Sequence, residues 1–330
     1  MKIDIFSHIF PKRYREAVDE GHPQDLPRRS TLYTIPTLTD LDLRFRLMDK
    51  YEDLRQVLTI AGPPVEMIAD QKNSAALARL ANDEMASILM KHPDRFVTAA
   101  ACLPMNNMES ALAEAERAVK SLGFRGVQIA TSINGKPLDS KELMPLYAKM
   151  CEYDLPIWIH PVRLDSHPDY LTENRSKYGI NVTFGWIYET TAAMARLVFS
   201  GIFDRYPKLK IITHHGGAMV PFLAQRIVFG YDMPGSERTR SRLAQTPINY
   251  FKMFYCDTAI QGNTSGLMCA HSFFGKEHVL FGTDAPFDNE YGNRSISRTI
   301  ASIREMSIAE PDKEKIFSGN AIKLLHLSFR

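Results

Sequence analysis

The sequence predicts an α/β protein, a closed (β/α)8 TIM barrel with long loops after strands one and five. Two observations support this fold. Short apolar segments typical of strands alternate along the 330 residues with segments of helical periodicity. Five of the apolar segments end in a histidine or an aspartate. Because the carboxyl ends of all strands in a parallel barrel open on one face, these side chains are expected to meet in one polar site.

Eight segments fit the strand pattern, each of them short, apolar and rich in β-branched or aromatic residues. They lie near residues 3–6, 55–60, 96–102, 126–130, 157–159, 210–213, 253–256 and 279–282. Between strands, helical periodicity is clearest at 71–92, 108–124 and 139–154. No G-x-G-x-x-G motif follows the first strand, which argues against a dinucleotide-binding fold and a nucleotide cofactor. We expect a single barrel domain over residues 1–330.

Two connections are too long for simple turns. One runs from Pro11 to about Thr39 after strand one, and the other from Pro161 to about Asn181 after strand five. Loops of this length in a compact domain are often functional. Both a substrate lid and an ordered surface excursion fit their aromatic and charged residues. Those residues are Tyr14, Tyr33, Arg163, Tyr170 and Tyr178.

The composition is that of an ordinary globular enzyme. A net charge of +2 gives no reason to expect nucleic acid or a membrane surface as a partner. Two of the four cysteines, Cys102 and Cys256, lie in apolar strand-like runs, where buried reduced thiols are expected. No segment has the length and apolarity of a signal peptide or a membrane span, so we expect a cytoplasmic protein.

The residues at the strand ends are of the types that bind metals or transfer protons. The segments are IDIFSH, PIWIH, KIITHH, KMFYCD and HVLFGTD, and they end in His8, His160, His214/His215, Asp257 and Asp284. More than one role is possible for Asp257. It could orient His215 or His160, or it could cap the segment that follows it.

These motifs resemble a known family. The segments IDIFSHIFP, PIWIHP, GIFDRYPKLKIITHHGGAMVPF, LFGTDAPF and SGNAIKLLHL are similar, in order and spacing, to the amidohydrolase-related group of decarboxylases and hydrolases. That group contains aminocarboxymuconate semialdehyde decarboxylase and the γ-resorcylate and 5-carboxyvanillate decarboxylases. The similarity extends over essentially the whole chain. It implies the barrel fold and a metal-assisted reaction.

The resemblance implies a ligand set for a divalent metal, Zn²⁺ or Mn²⁺. The metal ligands of the family fall on His8, His160 and Asp284. The family's first ligand, a histidine or glutamate, is here Phe6, which cannot bind a metal. Three protein ligands are still enough for a catalytic zinc or manganese site. Some relatives work without a metal, so the sequence leaves metal dependence open.

The resemblance also implies catalytic and substrate-binding residues. The family's catalytic histidine precedes a glycine pair and a proline six residues later, which selects His215, with Pro221 as that proline. His214 is then expected to point elsewhere or to support its neighbour. Asp284 is expected to carry protons as well as bind metal. Arg44 matches an arginine that binds the substrate carboxylate.

The implied function is non-oxidative decarboxylation of an aromatic or unsaturated carboxylic acid. Because Phe6 weakens the expected metal site, three alternatives stay open. They are a hydrolase of a lactone, ester or amide with little or no metal dependence, a hydratase of an unsaturated acid, and a non-catalytic ligand-binding relative. The partner expected in each case is a small carboxylic acid, and the family implies a homodimer.

Overall fold

The computed structural model describes residues 1–21, 29–235 and 241–329. Its strands are β1 (Lys2–Ile9), β2 (Leu54–Ile60), β3 (Phe96–Ala99), β4 (Ala101–Cys102), β5 (Val127–Ala130), β6 (Ser132–Ile133), β7 (Lys136–Pro137), β8 (Ile157–His160), β9 (Ile211–Thr213) and β10 (Tyr255–Cys256). Its α-helices are α1 (Lys12–Gly21), α2 (Arg29–Thr34), α3 (Leu41–Met48), α4 (Val65–Ile68), α5 (Gln71–Lys91), α6 (Met108–Lys120), α7 (Met144–Tyr153), α8 (Trp186–Phe199), α9 (Ile202–Arg205), α10 (Ala224–Asp232), α11 (Pro247–Phe251), α12 (Thr264–Phe274), α13 (Asn293–Glu305), α14 (Glu310–Glu314) and α15 (Asn320–Leu324).

The main strands pair in parallel and in chain order around a barrel. One sheet has the order β1-β2-β3 and the other β10-β9-β8-β5-β4. Strands β3 and β4 are two halves of the segment predicted at 96–102. Between them the backbone changes the strand to which it is hydrogen-bonded. Ala100 N donates to Leu58 O on β2, whereas Ala101 N donates to Gly126 O just before β5, both at 2.9 Å. This segment therefore joins the two sheets.

The eighth predicted strand, at 279–282, is not a regular strand but still closes the barrel. Single parallel bridges connect Cys256 with Val279 and Ser7 with Ala285. Ile5 N also donates to Phe281 O at 2.9 Å. The segment thus lies between β10 and β1, as the last strand of the predicted (β/α)8 barrel should, and the predicted fold class is confirmed.

The predicted helices are present with small shifts at their ends. Helix α5 begins where the Asp70 side chain accepts a hydrogen bond from Asn73 N at 2.8 Å. Helix α6 ends at Lys120 rather than near 124, and the chain then turns through Gly123, which has a positive φ of 73°. The segment at 139–154 begins as a short 3₁₀ turn before α7. Among the described residues, no helix is both long and apolar enough to cross a lipid bilayer.

The two long connections differ in structure. The first carries helices α1 and α2, and Tyr14 on α1 is buried against Phe10. Residues 22–28 of this connection lie outside the described part of the chain. The second, from 161 to 180, contains neither helix nor strand and leads into a π-helical turn, Asn181–Gly185. Its tyrosines, Tyr170 and Tyr178, are exposed.

The interior of the barrel is apolar below the site. Trp158 on β8 is fully buried, and its Nε1 donates to Ile5 O at 3.0 Å, so the ring reaches from β8 to β1. Gly126 makes room for this ring, since a Cβ there would lie 2.3 Å from it. A rigid core of this kind fixes the strand ends from which the polar residues project.

Candidate active site

A cavity of about 790 Å³ opens at the carboxyl ends of the strands. Its polar lining includes His8, His160, His215 and Asp284, which come from four different strand ends. The barrel topology brings them together although up to 276 residues separate them in the sequence. Five residues were predicted to bind metal or substrate or to act in catalysis, and all of them except Arg44 line this cavity.

Asp284 lies at the centre of this site. Its Oδ1 lies 3.2 Å from His8 Nε2 and 3.3 Å from His214 Nε2, and its Oδ2 lies 3.8 Å from His215 Nε2. The backbone holds it there, because Asp284 N donates to Phe6 O at 3.1 Å. Asp284 has a positive φ of 59°, a conformation that costs energy in a non-glycine residue and that clusters at functional sites.

The Nδ1 atoms of two site histidines are fixed by neighbours. His160 Nδ1 lies 2.9 Å from the carbonyl oxygen of Pro161, and since a carbonyl only accepts, this nitrogen carries the proton. His8 Nδ1 lies 3.1 Å from Thr59 Oγ1. Such contacts fix the tautomer and the orientation of metal-binding histidines. Both rings are thus held with Nε2 available for a ligand.

His214 belongs to the site. Of the two expected positions, pointing elsewhere or supporting its neighbours, the structure agrees with the second. Its Nδ1 donates to Asp257 Oδ2, and its Nε2 faces Asp284. The ring is fully buried. Asp257 also accepts from Gly216 N at 3.1 Å and Ala259 N at 3.0 Å. Asp257 thus orients His214, not His215 or His160, and it also caps the segment after β10.

His215 faces the cavity from a strained turn. Its φ is +55°, and Gly216 and Gly217 after it have φ of +66° and +77°. At Gly217 a Cβ would lie 2.4 Å from the ring of Phe274, so only glycine fits this turn. The shape of this turn therefore explains why two glycines follow His215. They let the chain turn so that both neighbouring histidines reach Asp284.

The electrostatics separate these groups into charged and neutral members. Burial acts to lower the pKa of His214, but the charges of Asp257 and Asp284 outweigh it and raise that pKa to about 10. Burial acts to raise the pKa of Asp284, but the positive charge of His214 holds it well below its usual range. Burial lowers the pKa of His160 and of His215. The site thus contains a cation, an anion and two neutral imidazoles.

The donor set fits a divalent metal ion. Ligand-type atoms of His8, His160 and His214 lie within 4.8 Å of one another. Donors around a tetrahedral ion with bonds of about 2.1 Å are separated by about 3.4 Å, close to the distances from His8 and His214 to Asp284. Within the described residues, the buried Nε2 atoms of His8 and His214 make no hydrogen bond of regular geometry, although Asp284 Oδ1 lies near both. Buried polar atoms are rarely left in that state unless an ion or water binds them.

Phe6 fills the position where the resemblance to the family implies a further metal ligand. It is fully buried, and its ring stacks on that of His214 with 3.9 Å between centroids and 12° between planes. The His8 and His160 rings are 5.7 and 6.1 Å from it. An apolar ring thus replaces a ligand and packs against the charged histidine instead.

The structure places Arg44 outside the cavity, so the expectation that it binds the substrate carboxylate is not supported by its position. Only 3% of Arg44 is exposed. Its guanidinium donates to Ser7 Oγ at 2.7 Å, His8 O at 2.6 Å and Gln56 Oε1 at 2.8 Å. These contacts hold the end of β1, from which His8 projects. Its side chain therefore positions His8 from outside the cavity.

Aromatic side chains form the walls beside the polar residues. Trp186 meets the His160 ring edge-on at 5.7 Å, and Phe287 meets the His8 ring edge-on at 5.2 Å. Both line the cavity. Of the five loop residues noted in the sequence, Arg163 also lines it. The cavity thus offers flat apolar surfaces next to a group of metal-binding and proton-carrying side chains.

The chain is similar to known proteins in both sequence and structure. The chain matches the family model described as amidohydrolase over residues 3–327. It is 33% identical over 306 residues to a γ-resorcylate decarboxylase of Polaromonas sp. strain JS666, covering 87% of each chain. It is 28% identical to the 2-amino-3-carboxymuconate-6-semialdehyde decarboxylase of Dictyostelium discoideum, covering 99% of this chain and 92% of that one. The crystal structure of a dihydroxybenzoic acid decarboxylase from Polaromonas sp. JS666, with bound manganese and the inhibitor 2-nitroresorcinol, superposes with a TM-score of 0.83 at 30% identity, covering 100% of this chain and 98% of that chain.

Proposed function

The chain belongs to the amidohydrolase family, and on that premise we propose that it is a metal-assisted, non-oxidative decarboxylase of an aromatic carboxylic acid. The observation that carries the proposal is the convergence of His8, His160, His214 and Asp284 on one point beside aromatic walls. The relatives are decarboxylases, and one of their structures contains manganese. The hydrolase, hydratase and non-catalytic alternatives are not favoured by these relatives.

His8, His160 and Asp284 would hold the metal, while the protonated His214 contacts Asp284 from the buried side and is not a ligand. When bound, the ion would act as a Lewis acid that binds substrate oxygens and withdraws negative charge from them. Trp186 and Phe287 bind the apolar faces of the substrate and exclude water. A substrate ring between them is held with its carboxylate at the strand ends.

The proton that replaces CO₂ comes from solvent and reaches the ring carbon through His215 and Asp284, whose carboxylate takes up the proton and then delivers it. Both line the cavity, and Asp284 Oδ2 lies 3.8 Å from His215 Nε2. A proton is transferred to the ring carbon that bears the carboxylate. The bond from that carbon to the carboxylate then breaks, its electron pair returns to the ring, and CO₂ leaves. Fully buried His214 does not contact the substrate. Its charge keeps Asp284 in place and ionised before the proton is taken up.

The test is CO₂ release from a panel of hydroxybenzoates by purified protein, before and after chelation and after Mn²⁺ or Zn²⁺ is restored. We expect release that chelation removes and metal restores. Reaction in D₂O should place deuterium at the ring carbon that lost the carboxylate. A folded, metal-loaded protein that releases no CO₂ from any member of the panel contradicts the proposal.

We also propose that the protein forms a homodimer through the surface around α10. None of the residues of α10, all of them within the described part of the chain, is buried. Phe222 and Phe229 are 84% and 66% exposed. Exposed apolar side chains in one place are typical of an interface. Light scattering should give twice the chain mass, and Phe222→Ser with Phe229→Ser should give the monomer. A wild-type protein that is monomeric at micromolar concentration contradicts this.

A further inference from the structure

Arg163 is a cation on the cavity wall that the decarboxylation chemistry does not use. It follows His160 by three residues at the carboxyl end of β8 and lines the cavity. Its Nη1 donates to Glu189 Oε1 at 2.7 Å. Glu189 lies in the first turn of α8 and does not line the cavity. A carboxylate outside the cavity therefore holds the guanidinium of a residue that lines it.

The main chain and the stem of Arg163 are also fixed. Its carbonyl oxygen lies 3.4 Å from both Asn181 Nδ2 and Trp186 Nε1, which donate to it. The Cδ atom passes over Gly185, where a Cβ would lie only 2.4 Å away. Gly185 has ordinary helical φ and ψ of −63° and −43°, so its backbone does not require glycine. The arginine side chain is what requires a hydrogen atom at this position.

The other charged groups of the cavity wall already have partners. Asp284 lies among the histidines, and Asp165 pairs with Arg175. Among the described residues that line the cavity, Arg163 is the one arginine or lysine. A guanidinium carries five N–H donors, and the bond to Glu189 uses one of them. The remaining donors include a fork of the shape that binds a carboxylate with two parallel hydrogen bonds.

We propose that Arg163, held by Glu189, binds a second carboxylate of the substrate, one that is not lost as CO₂. This inference rests on the proposed function and adds the substrate class, an aromatic acid that carries another carboxylate on its ring. The two carboxylates have different partners. One lies at the histidines and Asp284, and the other lies at the mouth beside the loop that follows β8.

Because Arg163 is remote from the reacting carbon, its contact is the same in the ground state and the transition state. Removing it should therefore raise KM for a dicarboxylic substrate while kcat changes little. A residue that only supports the loop would instead lower kcat, or alter every ligand alike. Glu189→Gln should have a weaker effect of the same kind, since the guanidinium loses its charged partner but remains present.

Binding of simple acids to the Mn²⁺-loaded protein tests the inference by calorimetry. Benzoate is compared with isophthalate and terephthalate, which add a second carboxylate at two different distances. We expect one of the two dicarboxylates to bind wild type about tenfold or more tightly than benzoate does. Arg163→Met should abolish that difference and leave benzoate affinity unchanged.

Two further variants separate charge from position. Arg196→Met removes a surface charge that lies two turns further along α8 than Glu189, outside the lining of the cavity, and that pairs with Asp139; it should keep the preference. Gly185→Ala keeps the arginine but displaces it, and should weaken the preference without unfolding the helix. A preference that survives Arg163→Met overturns the inference, as does equal binding of all three acids to wild type.

The outcomes for the two proposals are distinguishable. If a monocarboxylic hydroxybenzoate is decarboxylated and the second carboxylate gives no advantage in affinity, the decarboxylase stands and the role of Arg163 is wrong. If none of the acids binds and no hydroxybenzoate releases CO₂, both are wrong.

Discussion

Replacement of Asp284 by asparagine is the sharpest perturbation of the proposed active site. The change keeps the size of the side chain and removes its charge. In the structure the carboxylate is shared by His8, His214 and His215, at distances of 3.2, 3.3 and 3.8 Å. An amide can face only some of these nitrogens with an acceptor, and it can neither carry the proton nor act as an anionic metal ligand.

The magnitude follows from the two roles that the carboxylate combines. General acid–base catalysis contributes about 10²–10⁴-fold, or about 3–5 kcal/mol of barrier at 1.36 kcal/mol per tenfold. Loss of a metal ligand adds to this. The fold should survive, because the charged His214 keeps its buried partner Asp257. We therefore expect a loss of at least about 100-fold in kcat with a melting temperature within a few degrees of wild type.

The assay is CO₂ release together with metal content by mass spectrometry and a thermal melt. Asp312→Asn is the matched control, since it changes a carboxylate far from the site that pairs with Lys276 and Lys315, each at 3.9 Å. A variant Asp284→Asn that melts normally and keeps more than about a tenth of wild-type activity refutes the assignment of Asp284.

Three further perturbations test other parts of the site. Arg44→Met removes three buried hydrogen bonds and the positive charge that acts on buried Asp4. The free energy of unfolding, measured by urea denaturation, should therefore fall by about 3–5 kcal/mol. A raised KM with unchanged stability would instead show that Arg44 binds substrate. Glu66→Gln should remove a pH dependence of stability. Burial raises the pKa of Glu66 from 4.5 to about 7, so the unfolded state binds fewer protons in this window. Glu66 should contribute a loss of about 3 kcal/mol between pH 4.5 and 7, in addition to the loss from Asp4, whose pKa burial also raises to about 7. Melts at pH 5 and 8 should therefore show a smaller loss of stability for the variant than for wild type. Phe6→Leu keeps an apolar side chain, at a cost in stability below about 1.5 kcal/mol, but removes the ring stacked on His214. It should lower kcat without lowering metal content. An unchanged kcat would show that the stacked ring is not needed.

The sequence predicts the architecture well because its main signals are local. A short apolar run followed by a polar residue identifies a strand and its carboxyl end, and the barrel topology then brings His8, His160 and Asp284 together. The eighth strand is less regular than predicted because the chain there bonds to several elements at once. Thr258 Oγ1, for example, accepts from Gly282 N and donates to Gly282 O, each at 3.0 Å. No periodicity reveals such a contact in advance.

Side-chain direction is what the sequence could not give. Spacing from the glycine pair selected His215 and left the direction of His214 open. A turn with positive φ at His215 lets both rings reach Asp284. Arg44 could not be placed because an arginine on a helix can face the cavity or the back of a strand equally well. The presence of Asp257 at a neighbouring strand end was the available signal that His214 has an anionic partner.

Phe6 has a consequence for charge as well as for metal binding. At position 6 this chain has a neutral ring that fixes the plane of His214, while Asp257 fixes its direction. Two independent contacts thus orient the cation that holds Asp284 ionised. A glutamate at position 6 would have added a negative charge beside Asp284. Its absence leaves the cavity less negative, and this favours an anionic substrate even before Arg163 contributes.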